Sequence, residues 1–82
     1  MEPEYEKFTS LYSEFMSVIE DKTKTQKEVL LGYKCLGIHF FGLSNVSDIE
    51  HCNAVFLLKE ATDKAMELGW KIYDAKVGLS LS

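Results

Sequence analysis

The chain has 82 residues and a net charge of −4, enough for one domain and no more. At 46% hydrophobic and 12% aromatic residues, it carries too much apolar matter to be intrinsically disordered. The acidic balance argues against a nucleic-acid binder held by phosphate contacts, so no nucleic-acid partner is expected. No apolar run approaches the roughly 20 residues needed to cross a bilayer, so no membrane partner is expected.

The first predicted element is a helix over residues 3–20. Pro3 suits a first turn, where its missing N–H costs nothing, and Glu4 and Glu6 favour the positive end of the helix dipole. Met1-Glu2-Pro3-Glu4 also lacks the basic and apolar regions of a signal peptide, so the chain reads as cytoplasmic. Tyr5, Phe8, Tyr12, Phe15 and Ile19 form a stripe at helical spacing, widened by Leu11 and Val18. Glu20-Asp21-Lys22-Thr23-Lys24 is a polar link.

A second helix is predicted over 25–42. It opens on the capping box Thr25-Gln26-Lys27-Glu28 and continues through Val29, Leu30, Tyr33, Leu36, Gly37, Phe40 and Phe41. Gly42 is placed as its left-handed terminating residue, with Leu43 touching Ile38. The competing reading makes Tyr33–Phe41 an aromatic strand, but alternation there is poor.

The third helix is predicted over 47–74 and starts at another capping box, Ser47-Asp48-Ile49-Glu50. Ala54, Leu58, Ala61, Ala65, Leu68 and Ile72 make a continuous seam, half of it alanine, suited to close packing against other helices. Phe15, Leu36, Phe40, Leu58, Ala61 and Leu68 are the expected core. Residues 75–82 form a tail.

The expected architecture is therefore all-α: a small three-helix bundle with a long third helix, completed by oligomerisation. Length is the reason for the last clause. A domain of this size is about 30 Å across. An unbroken helix to residue 74 runs about 40 Å, so either Gly69 breaks it or its far end packs on another chain. The apolar repeat, which passes Gly69 in phase, favours the second. The overhang would carry Met66, Trp70, Ile72 and Tyr73, the aromatic-rich composition of an interface core. The implied partners are a second copy of the chain, as a homodimer or larger, and another protein.

Candidate chemistry is sparse. Cys35, His39, His51 and Cys52 suggest zinc by residue type and by the four-residue spacing of the first pair. Adjacent helical residues diverge by about 100°, however, and Cys52 fits a core stripe with Ile49 and Phe56. Two buried, reduced thiols and two ordinary histidines explain the set better. Glu60 and Asp63, with Glu67, match an ExxD spacing that recurs in helical magnesium-dependent nucleotide hydrolases. Such sites need carboxylates on a facing helix, and helix two offers only Glu28. Neighbouring lysines suit a solvated face instead.

Lys22, Lys24 and Lys27 gather with Thr25 near a helix start and, with Tyr12, make a candidate anion or small-ligand site. Every basic residue is a lysine, so a bidentate arginine clamp for phosphate is missing. No nucleophilic triad and no glycine-rich phosphate loop is present.

The chain is similar in general character to small acidic helical proteins of bacteria and phages, without a motif that assigns it to a family. The leading expectation is a non-enzymatic protein, without cofactor or metal, that acts by protein–protein interaction as an adaptor, regulator or inhibitor. A phosphate- or nucleotide-binding protein is the runner-up. A metal-dependent helical enzyme is a distant third.

Overall fold

A computed structural model describes residues 2–72. Three helices, α1 (Pro3–Glu20), α2 (Gln26–Phe41) and α3 (Asp48–Glu67), account for 76% of the described residues, which contain no strand. Tyr33–Phe41 is helical, so the strand alternative fails.

Both capping boxes form. The Thr25 hydroxyl accepts from the Glu28 N–H at 3.2 Å while the Glu28 carboxylate accepts from the Thr25 N–H at 3.3 Å. Ser47 and Glu50 repeat the exchange. Each box satisfies donors that a helix start leaves unpaired. At the end of α1, the Asp21 carboxylate accepts from the Thr23 amide and hydroxyl, which turns the chain and holds the Asp21 pKa below its usual value.

Helix α1 is the centre of the packing. It lies against both α2 and α3, which meet each other only sparingly. Phe8, Val29, Leu36 and Ile72 are fully buried, with Tyr5, Phe15, Ile19 and Tyr33 around them. Gly32 lets α1 and α2 close up, because a Cβ there would lie 3.3 Å from the Phe15 ring. The alanines of the α3 seam do the same work on the other side: Ala54, Ala61 and Ala65 are wholly buried. Between α2 and α3 the Thr62 hydroxyl donates to the Leu58 carbonyl at 2.8 Å, so the buried Tyr33 hydroxyl donates to Thr62 at 2.9 Å.

Several expectations are corrected. Helix three ends at Glu67, seven residues short of 74. Gly69 adopts φ +94°, the left-handed conformation that favours glycine, and its N–H donates to the Met66 carbonyl. The Trp70 N–H reaches back to the Ala65 carbonyl, which completes a Schellman termination. At about 30 Å, α3 fits the 35 × 27 × 17 Å body without overhang.

Gly42 ends α2 without left-handed geometry, at φ −83°, and Ile38 stays exposed above it. Leu58 and Phe40 are half-buried and Leu68 is exposed. The small residues of the seam take the centre of the contact, which leaves its leucines at the margins.

Candidate interaction surface

The segment after α3 folds onto its own chain. The Trp70 indole N–H donates to the Ile19 carbonyl at 2.8 Å, satisfying an acceptor in the last turn of α1. The Gln26 side-chain amide donates to the Lys71 carbonyl at 2.8 Å and accepts from the Lys71 N–H at 3.1 Å. Ile72 enters the core. Of the described residues in the surface expected at Met66, Trp70, Ile72 and Tyr73, Met66 alone is exposed. Trp70 is half-buried, Ile72 is fully buried, and Tyr73 lies outside the described residues, as does the 75–82 tail.

A different apolar surface lies at the opposite end, where α2 stops and α3 begins. Ile49, Cys52 and Phe56, expected in a core stripe, are all exposed: Ile49 at 74% and Phe56 at 66%. The reason is angular. Residues 54 and 56 sit about 200° apart around a helix, so the stripe through Ala54 and the stripe through Phe56 face opposite ways. The alanine stripe takes the core.

On α2 Ile38 and Phe41 are exposed as well, and on α3 so is Val55. Rings join the two helices there. Phe40 lies 6.0 Å from Phe8 in the core, 5.4 Å from Phe41 outside it, and 5.7 Å from the His51 ring. Phe40 thus carries the core outward to the surface.

The other candidate residues are spread out. Tyr12 points away from the lysines: its hydroxyl donates to Glu60 at 2.7 Å, and burial, this bond and the Glu60 charge push its pKa up to about 12. At the start of α2, Thr25 is committed to its capping box, and the Glu28 carboxylate already faces the helix terminus that an anion would use. Lys22 and Lys27 are exposed and Lys24 is half-buried.

On α3, Glu60 is taken by Tyr12 and Asp63 pairs with Lys59 at 3.2 Å. A shallow groove beside Phe56, Glu60, Asp63 and Glu67 is lined by α3 alone, so it is the relief of one helix rather than a cleft. His39 Nδ1 donates to the Cys35 carbonyl at 2.9 Å, with the Cys35 sulfur 3.8 Å away. Cys52 is exposed, contrary to the expectation of two buried thiols. Among the described residues no group of three or more metal-binding side chains converges, and no helix is long and apolar enough to cross a membrane.

The sequence signal of the α3 stripe was present, and it pointed to the core where the structure has it in solvent. Ile49, Cys52 and Phe56 repeat at three and four, out of phase with the alanines. No protein-family model, curated protein or solved structure matches the chain.

Proposed function

We propose that this protein is a non-enzymatic interaction module, an adaptor, regulator or inhibitor, that docks through the apolar surface at the α2–α3 end. One observation carries the reading. Ile38, Phe41, Ile49 and Phe56 are each more than 60% exposed at one end of a domain with few apolar residues to spare. Large exposed apolar side chains, where they gather, mark interaction sites in soluble proteins. Their aromatic content matches the composition of interface cores. The module would work in the cytoplasm, where its two unpaired thiols, one of them exposed, stay reduced.

The ligand-binding reading has less support. The lysines near α2 surround a helix terminus already served by Glu28, and Tyr12 is bonded elsewhere. A hydrolase reading would need Glu60 and Asp63 free of Tyr12 and Lys59.

Affinity capture with the immobilised chain and with its Phe56→Asp variant tests the proposal. The wild type should retain a protein in stoichiometric amount, and the variant, with unchanged circular dichroism, should not. Equal capture by both would sink it. In parallel, nucleotides, phosphate and divalent ions should leave the melting temperature unchanged. A rise with any of them would favour the ligand reading, since a native-state ligand stabilises by mass action.

A further inference from the structure

We draw no further inference here: the strongest candidate, the exposed apolar stripe of Ile49, Cys52 and Phe56 on the first half of α3, carries nothing, since nothing in the structure shows what covers it.

Discussion

The two ends of this bundle are finished in opposite ways. At one end α1 stops, α2 starts, and residues 68–72 return across both: Trp70 bonds to Ile19, Lys71 to Gln26, and Ile72 fills the core. At the other end α2 stops and α3 starts, and Ile38, Phe41, Ile49 and Phe56 face water. The first end is covered by five residues of the chain itself. The second has a firm helix cap at Ser47 and still leaves its apolar side chains uncovered. Local helix chemistry and burial are therefore separate: a cap fixes where a helix starts, and only a covering segment hides the side chains beside it.

The sharpest test sets two phenylalanines against each other. Phe8 is fully buried and Phe56 is 66% exposed, although both lie near the same end. Phe8→Ala should cost about 3–5 kcal/mol, from lost transfer energy and the cavity left behind. A domain this small has roughly that much stability in all, so most of the variant should be unfolded at room temperature. Phe56→Ala should stay within about 0.5 kcal/mol for the isolated chain. Urea titrations followed by circular dichroism measure both, and comparable losses would break the contrast.

Next in size is the covered end. Trp70→Ala should cost about 2–4 kcal/mol, because it removes a half-buried ring and the donor to Ile19 together. Trp70→Phe keeps much of the packing and should cost about 1 kcal/mol for the bond alone. If neither variant lowers the urea midpoint, residues 68–72 do not hold that end closed.

These contrasts show which parts of the molecule were legible in its sequence. Helix starts were, because Thr25-x-x-Glu28 and Ser47-x-x-Glu50 satisfy orphan amides by purely local contacts. The aromatic stripe of α1 was also legible, since Tyr5, Phe8, Phe15 and Ile19 share one buried face. The end of α3 was legible only as a choice: Gly69 marks a stop, but the apolar repeat passes through it in phase to Ile72 while the backbone turns there. Periodicity records what is buried, not whether the helix continues to reach it. The Ile49–Phe56 stripe was legible as a stripe but was assigned to the wrong side. Choosing between two opposed stripes requires the position of α1, a tertiary fact. The Tyr12–Glu60 bond spans 48 residues and has no local signal.

That bond gives the smallest effect and one confined to alkaline solution. The Tyr12 pKa is raised from 10.0 to about 12, so folding favours the neutral phenol. Its contribution is complete below pH 10 and is lost as pH rises through 12. The wild type should lose stability over that interval more steeply than Tyr12→Phe, and the two should differ by only about 1 kcal/mol at neutral pH. Parallel curves in the alkaline range would mean that Tyr12 and Glu60 do not interact in solution.

The indole held against Ile19 also makes the chain its own optical probe. Trp70 is the single tryptophan, so all indole emission originates at the covered end. Release of residues 68–72 would hydrate that one chromophore and shift its emission to the red while the three helices kept their dichroism. Local opening often requires less free energy than global unfolding. Fluorescence and circular dichroism followed on the same sample would therefore separate fraying of the strap from melting of the bundle, without any added label.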